Sequence, residues 1–175
     1  MASAVIVVDM QKGFMEPSGT LYCGDEARGI IPRIRERARR EQEEGATLFF
    51  TRDTHRPDDR EFAMFPPHCL EGTEETEIIG ELADLAAQAR TIRKRRYSAF
   101  FETDLAEQLA GLKPDRVVVM GDCTDICVLH TVADLRNRDY AVEVPADCVA
   151  SFDAEQHRWA LRHMEKVLGA RITNQ

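Results

Sequence analysis

Short apolar runs alternate along the chain with segments whose apolar residues recur at helical spacing. The runs at 4–8 and 116–120 are apolar almost throughout, which is typical of parallel strands buried on both faces of a sheet. Weaker or shorter runs of the same kind predict the remaining strands. The predicted strands are residues 4–8, 46–51, 91–93, 116–120, 140–144 and 170–173.

The intervening segments carry apolar residues three or four positions apart, a spacing that predicts helices. Asp153 and Gln156 resemble a capping box, and Thr124 or Asp125 is a suitable N-cap for the helix after the fourth strand. The predicted helices are residues 32–45, 78–85, 105–112, 126–138 and 153–169. Alternating strands and helices predict a three-layer α/β/α fold, Rossmann-like, with an open, mostly parallel sheet of about six strands.

Length, charge and cysteine usage narrow the class of protein. The 175 residues fit one domain, residues 1–175, that is large enough to bury a substantial core. A net charge of −8 argues against nucleic acid or an anionic membrane as a partner, and no apolar stretch approaches membrane-spanning length. Five cysteines without a signal peptide predict free thiols in a reducing, cytoplasmic compartment.

Chemically reactive side chains follow four of the predicted strands. Asp9 ends the first strand, and Asp53 and His55 follow the second. Lys94 follows the third strand, and the loop that carries Cys127 follows the fourth. Ligands bind beyond the carboxyl ends of strands in open α/β sheets, so we expect these side chains to meet at one rim.

Cys127 is the candidate nucleophile of this rim. In the first turn of the predicted helix, unpaired N–H groups and the helix dipole favour a thiolate and could hold an oxyanion. A lone helical cysteine is more often an inert core residue. The spacing of Cys123 and Cys127 is not C-x-x-C, so it does not indicate a zinc site. His130, one turn later, is expected to face the packing layer or solvent.

Asp9 and Lys94 could assist such a nucleophile. An aspartate that ends a buried strand could serve only as a cap or loop carboxylate, or it could be a general base that takes the thiol proton. A lysine is most often a solvated surface residue, but beside Asp9 and Cys127 its charge would lower the thiol pKa.

Five segments of the chain carry a resemblance to a known family. They are Val7 to Phe14 (VVDMQKGF), Arg52 to His55 (RDTH), Phe65 to Thr73 (FPPHCLEGT), Lys94 to Phe101 (KRRYSAFF) and Gly121 to Val128 (GDCTDICV). In this order and over essentially the whole length, the chain resembles the isochorismatase-like cysteine hydrolases, and within them the nicotinamidases.

The resemblance implies a catalytic triad of Asp9, Lys94 and Cys127. It also implies a cis peptide bond between Asp122 and Cys123, with the N–H groups of Cys123 and Cys127 forming an oxyanion hole. Family members usually carry an apolar residue where this chain has Asp122. An additional carboxylate there could alter the charge of the substrate pocket.

The resemblance further implies one divalent metal ion, held by Asp53, His55 and His68, that binds the ring nitrogen of the substrate. Zinc is favoured, with manganese or iron as alternatives, and either Glu61 or Asp59 is expected to complete the site. Isochorismate-cleaving relatives need no such metal.

The aromatic residues Phe14, Phe65 and Tyr97 match positions that surround the substrate in the family, although core packing explains each of them equally well.

The expected reaction is hydrolysis of a small carboxamide through a thioester, with nicotinamide as the favoured substrate. An amidase acting on a ureido, carbamoyl or aliphatic amide is an alternative, as is an isochorismatase-type hydrolase. A catalytically silent ligand-binding protein is the alternative from outside the enzymes, and the presence of Asp9, Lys94 and Cys127 argues against it. We expect a small-molecule partner and a homo-oligomer.

Overall fold

A parallel sheet of seven strands forms the centre of the computed structural model, which describes residues 2–174. The strands follow the order β3-β2-β1-β4-β5-β7, and β6 pairs with β4. Every ladder between the named strands is parallel. The strands are β1 (Ser3–Val8), β2 (Thr47–Asp53), β3 (Arg90–Lys94), β4 (Arg116–Asp122), β5 (Val142–Pro145), β6 (Val149–Ala150) and β7 (Arg171–Thr173).

Helices cover both faces of the sheet. They are α1 (Lys12–Met15), α2 (Asp25–Arg28), α3 (Ile30–Glu43), α4 (Ala83–Ala86), α5 (Leu105–Leu112), α6 (Leu129–Arg136) and α7 (Ala154–Lys166). Short 3₁₀ turns occur at Arg60–Ala63, Glu74–Thr76, Gly80–Leu82 and Ala146–Cys148. No helix of the part described is long and apolar enough to cross a bilayer.

Alternate side chains of β1 contribute to two separate cores. Val5 and Val7 pack with the apolar faces of α3 and α4, whereas Ile6 and Val8 pack with those of α5, α6 and α7. This arrangement follows from the period of two residues in a strand, which sends successive side chains to opposite faces. The predicted three-layer α/β/α fold is confirmed.

The segment at 78–85 is not the single helix that its spacing predicts. Ile78 forms a β-bridge with Gln11, and the N–H of Ile79 donates to the carbonyl of Met10. These long-range bonds hold the backbone extended, so helical structure begins only with the 3₁₀ turn at Gly80–Leu82 and continues into the four-residue α4.

The helix after β4 also begins differently from the prediction. A π turn, Thr124–Val128, precedes α6, and the N-cap is Cys123. The predicted caps are wrong because both side chains bond elsewhere: Thr124 contacts His157, and Asp125 accepts a hydrogen bond from Ser151. Cys127 still lies in the first turn after the strand.

The strand order reverses between β1 and β4, which places a topological switch point at their carboxyl ends. Gly121 lets the two strands lie close together there. Its φ is +118°, and a Cβ at this position would lie 2.1 Å from the carbonyl oxygen of Val8. Only glycine tolerates both conditions.

Candidate active site

The ends of β1, β2 and β3 and the turn after β4 bring four predicted site residues together. The Nζ atom of Lys94 lies 2.7 Å from Asp9 Oδ2, 3.2 Å from Asp53 Oδ1 and 3.5 Å from Cys127 Sγ. All four side chains are buried. A single ammonium group therefore contacts two carboxylates and a thiol that come from separate parts of the chain.

Asp9 is held by Thr51, a residue that the sequence analysis missed. The Asp9 N–H donates to Thr51 Oγ1 at 3.0 Å, and the Thr51 hydroxyl donates to Asp9 Oδ1 at 2.5 Å. Asp9 adopts a φ of +50°, a left-handed conformation that aspartate tolerates better than most residues. In the sequence, this role was indicated only by the hydroxyl residue Thr51 at the end of the mostly apolar second strand.

Gln11 is a second residue whose role the sequence did not reveal. Its side chain is fully buried and pairs with the backbone of Asp53, donating to the carbonyl at 2.9 Å and accepting from the N–H at 2.7 Å. The polar Gln11 within the first motif was the available signal. It fixes the end of β2 relative to the end of β1.

Burial opposes the ionisation of Asp9 and of Cys127, two of the three acidic groups that contact Lys94. It raises the pKa of Asp9 and the pKa of Cys127 above their ordinary values, while Lys94 acts in the opposite direction. Burial would lower the pKa of Lys94, but Asp53 and Asp9 raise it, so the amine stays charged. Burial thus acts against the thiolate that the helix N-terminus and Lys94 are expected to favour.

A group of four possible metal ligands adjoins Lys94. Each of Asp53, His55, Glu61 and His68 offers one ligand atom, and these atoms lie within 4.8 Å of one another. Asp53 Oδ2 is 2.9 Å from His55 Nε2 and 3.4 Å from His68 Nε2. All four residues are buried. Burial opposes the charge of Asp53, but Lys94 and the histidines keep its pKa well below the usual range.

The second ring nitrogens of both histidines have partners of their own. His55 Nδ1 lies 2.9 Å from Asp59 Oδ2, and His68 Nδ1 lies 2.8 Å from the carbonyl oxygen of Pro66. Such contacts orient histidines that ligate metals. Burial would lower the pKa of His55, but hydrogen bonds to Asp53 and Asp59 raise it to about 9, so ligation would displace a proton.

The structure distinguishes between the two carboxylates that could complete this group. Asp59 bonds to His55, Arg96 and the N–H of Glu61, and it lies outside the group. Glu61 lies within it, and its Oε2 atom is buried without a hydrogen-bond partner. Two imidazoles and two carboxylates, one of which has an unpaired oxygen, suit zinc, manganese or iron as ligands.

A pocket with a volume of about 340 Å³ opens above these residues. Asp9, Asp53, Glu61, His68 and Cys127 line it. The three predicted aromatic residues, Phe14, Phe65 and Tyr97, also line it, as do Leu21, Ile126 and Phe152, which the sequence analysis did not identify. Apolar and aromatic side chains with a few convergent polar groups are typical of sites for small ligands.

The wall of the pocket formed by Asp122 and Cys123 contains a cis peptide bond between these two residues, at the position that the resemblance implies. His130 does not approach Cys127. It is exposed, its Nδ1 lies 2.7 Å from the carbonyl oxygen of Ile126, and its ring packs against Tyr97.

Comparisons with known proteins agree with this geometry. The chain is 34% identical over 181 residues to the isochorismatase family protein PncA of Bacillus subtilis, with 98% of this chain and 99% of that protein covered. The fold is similar to a pyrazinamidase/nicotinamidase structure from Streptococcus mutans, with a TM-score of 0.93, 38% identity, and 97% and 99% of the two chains covered.

A pyrazinamidase structure of Pyrococcus horikoshii in complex with zinc is also similar, with a TM-score of 0.90, 34% identity, and 99% of each chain covered. The model of the isochorismatase domain matches residues 3–175. From the sheet, the site and these likenesses together, we conclude that the chain belongs to the isochorismatase family and is similar to the nicotinamidases within it.

Proposed function

We propose that the protein hydrolyses nicotinamide to nicotinate and ammonia through a thioester on Cys127. One observation carries the proposal: Lys94 contacts Asp9, Asp53 and Cys127 at a pocket whose wall includes three members of a group of four metal-type ligands. The nicotinamidases and pyrazinamidases among the similar proteins support the same reaction class, cleavage of a small carboxamide.

Asp9 would act as general base and then as general acid. It takes the thiol proton from Cys127, and the sulfur attacks the carboxamide carbonyl to form a tetrahedral intermediate. The raised pKa of Asp9 makes it a stronger base than an exposed carboxylate, and the neighbouring ammonium of Lys94 stabilises the sulfur as it ionises. Asp9 returns the proton to the departing ammonia and then activates the water that releases the acid.

The N–H groups of Cys123 and Cys127 would stabilise the oxyanion of both tetrahedral intermediates. Preorganised backbone donors of this kind contribute much of the rate enhancement in acyl transfer. Phe14, Phe65 and Tyr97 would hold a flat ring between them, since all three line the pocket.

Asp53, His55, Glu61 and His68 would hold one divalent metal ion, zinc being the best match to this donor set. Such an ion would supply a Lewis acid for the pyridine nitrogen of the substrate. A ring nitrogen is absent from aliphatic amides and from isochorismate, so these four residues favour nicotinamide among the alternatives.

Release of ammonia from a panel of amides, with and without a chelator, tests the substrate. We expect nicotinamide to be hydrolysed best and the chelator to suppress that turnover. The double variant His55→Ala/His68→Ala should lose the bound metal and raise KM for nicotinamide, while an activated ester that needs no ring capture should be affected much less. His163→Ala, which changes a histidine on α7 outside the pocket, is the matched control.

Metal-free protein that hydrolyses nicotinamide at full rate would refute the role of the four ligands. The fold and the thiol chemistry would survive that result, and a ureido, carbamoyl or aliphatic amide would then be the better substrate class. The five cysteines are free thiols, in keeping with the predicted reducing compartment. A homo-oligomer and a cytoplasmic location stay predictions.

A further inference from the structure

A second group of metal-type ligands adjoins the pocket, and two of its three members, Asp122 and Cys123, line it. Cys23, Asp122 and Cys123 each offer one ligand atom, and these atoms lie within 4.8 Å of one another. Cys23 Sγ is 3.6 Å from Cys123 Sγ and 3.4 Å from Asp122 Oδ2. Cys23 comes from the loop before α2, about a hundred residues from the other two, so only the fold brings the three together.

The buried carboxyl of Asp122 lacks the hydrogen-bond partners that buried polar groups usually have. Its side chain is 1% exposed, and its Oδ1 atom has no hydrogen-bond partner. The other oxygen contacts only the thiol of Cys23, a weak donor. An unsatisfied buried carboxyl destabilises the fold, so it usually signals a role in binding or catalysis. The reaction proposed above gives Asp122 no such role.

The same deficiency occurs in the first ligand group, where Glu61 Oε2 is buried without a partner. Each group therefore combines close ligand atoms with one unpaired carboxylate oxygen. The chemistry of the two groups differs. The first offers nitrogen and oxygen atoms, whereas the second offers two sulfurs and a carboxylate.

The two separations that Cys23 makes within the second group match the edges of a zinc tetrahedron. Zinc lies about 2.3 Å from sulfur and about 2.0 Å from a carboxylate oxygen, so two sulfurs at the tetrahedral angle are roughly 3.8 Å apart and a sulfur and an oxygen roughly 3.5 Å apart. The observed separations are 3.6 Å and 3.4 Å. Little movement of the side chains is needed to accommodate an ion.

We propose that Cys23, Asp122 and Cys123 form a second cation site, specific for thiophilic divalent ions such as zinc. Each thiol and the carboxyl of Asp122 lose their protons to solvent as they bind, so two thiolates and one carboxylate surround the ion. The carboxyl of Asp122 supplies the third ligand and a water the fourth. Cys23 is only partly buried and provides the route of entry.

The two sites would share one pocket, since Asp122 and Cys123 line it together with Asp53, Glu61 and His68. Their donor sets give them different preferences. Sulfur ligands select zinc, cadmium and cobalt over manganese and magnesium, while the imidazole and carboxylate group accepts manganese and iron as well. We therefore expect the second site to fill only with the softer ions.

Titration of the metal-free protein with cobalt(II) tests the proposal, because only sulfur ligation gives a thiolate-to-cobalt charge-transfer band in the near ultraviolet. We expect wild-type protein to show this band, with release of protons. The double variant His55→Ala/His68→Ala should retain it, because the first group contains no sulfur. The readout is thus independent of the metal site required by the proposed function.

The cysteine and aspartate variants show which side chains give rise to the band. Cys23→Ser should remove it, and Asp122→Asn should weaken cobalt binding at least about tenfold, the loss typical even for outer partners of metal ligands. Cys148→Ser is the matched control, since Cys148 is another buried thiol beside an aspartate and lies outside the group. Cys127→Ala should also retain the band.

Absence of the band in wild-type protein would overturn the proposal and leave hydrogen bonding as the role of the three side chains. A band that survives Cys23→Ser, or disappears in Cys127→Ala, would overturn it as well by assigning the sulfur ligand elsewhere. Circular dichroism of each variant shows whether it is folded, and Asp122→Asn gives a second result should Cys23→Ser fail to fold.

Discussion

Two buried clusters of charged residues lie in different parts of the sheet and are built differently. The first, here called the structural network, comprises Arg37 and Glu41 of α3, Arg116 at the start of β4 and Glu143 of β5. Each arginine contacts both glutamates at 2.6–2.9 Å. Two positive charges therefore balance two negative ones, and no buried polar side-chain atom of this network is left without a partner among the described residues.

The candidate site differs from this network, because some of its buried carboxylate oxygens have no hydrogen-bond partner. Asp9, Asp53, Glu61 and Asp122 line the pocket, and the buried Lys94 contacts Asp9 and Asp53. Of the buried side-chain atoms without a hydrogen-bond partner in the described chain, all belong to Asp9, Glu61 and Asp122. Asp9 Oδ2 still contacts Lys94 as an ion pair at 2.7 Å. A network that serves stability is completed by the protein itself, whereas a site keeps atoms free for its ligands.

Loss of the nucleophile should have the largest effect. Cys127→Ala should lower turnover by ~10³-fold or more, because no other group can form the thioester. Turnover and thermal unfolding of the purified variant test this. Cys123→Ala should keep most activity, since only its backbone N–H is required. Equal losses from both changes would instead point to a mechanism that uses two cysteines.

Removal of the Lys94 ammonium group should have the second-largest effect on turnover. In Lys94→Met, Asp9 and Cys127 lose the charge that opposes the effect of burial, so alkylation of Cys127 should slow and turnover should fall by ~10²-fold or more. The rate of labelling by iodoacetamide, located by mass spectrometry, is the measurement. Lys166→Met, at an exposed position, is the control. Unchanged labelling would show that Lys94 does not influence the thiol.

Breaking the structural network should reduce stability in a manner that depends on pH. Burial would raise the pKa of Glu143, but Arg37 and Arg116 hold it below the usual value. A lowered folded-state pKa contributes stability above the unfolded-state pKa of about 4.3, and this contribution is lost as the pH falls through the folded-state value.

Glu143→Gln should therefore cost about 3 kcal/mol near neutral pH, the lower end for a broken buried pair because Arg116 is partly exposed. The difference from wild type should shrink below pH ~4. Urea unfolding across this range measures it, with exposed Glu165→Gln as control. A difference that stays constant with pH would mean that the ion pairs do not stabilise the protein.

The smallest expected effect is a gain in stability rather than a loss. Burial raises the pKa of Asp122 well above its ordinary value, and Oδ1 is unsatisfied, so Asp122→Val should stabilise the metal-free protein by about 1–2 kcal/mol. Asp122→Asn, which keeps a polar group, should not stabilise it. Denaturant unfolding compares the three proteins. A destabilising Asp122→Val would show that this carboxyl is satisfied in solution and would remove the contrast between the clusters.

The sequence by itself determined the architecture and the composition of the rim. Continuous apolar runs and helical spacing are patterns of near neighbours, so the strands could be located from the chain alone. Since parallel strands end at the same edge, it followed that Asp9, Asp53, Lys94 and the Cys127 turn would meet. The predicted helix at 78–85 was wrong because a long-range bridge to Gln11 overrode local spacing.

Only the tertiary structure decided which side chains became partners within that rim. The sequence left Glu61 and Asp59 as alternatives, and the path of the loop placed Glu61 among the possible ligands and Asp59 behind His55. The support of Asp9 by Thr51 and the approach of Cys23 to Cys123 join residues 42 and 100 positions apart. Burial, which sets the pKa of Cys127, also depends on everything packed around it. Periodicity is a property of neighbouring residues, whereas contact and desolvation are properties of the folded chain.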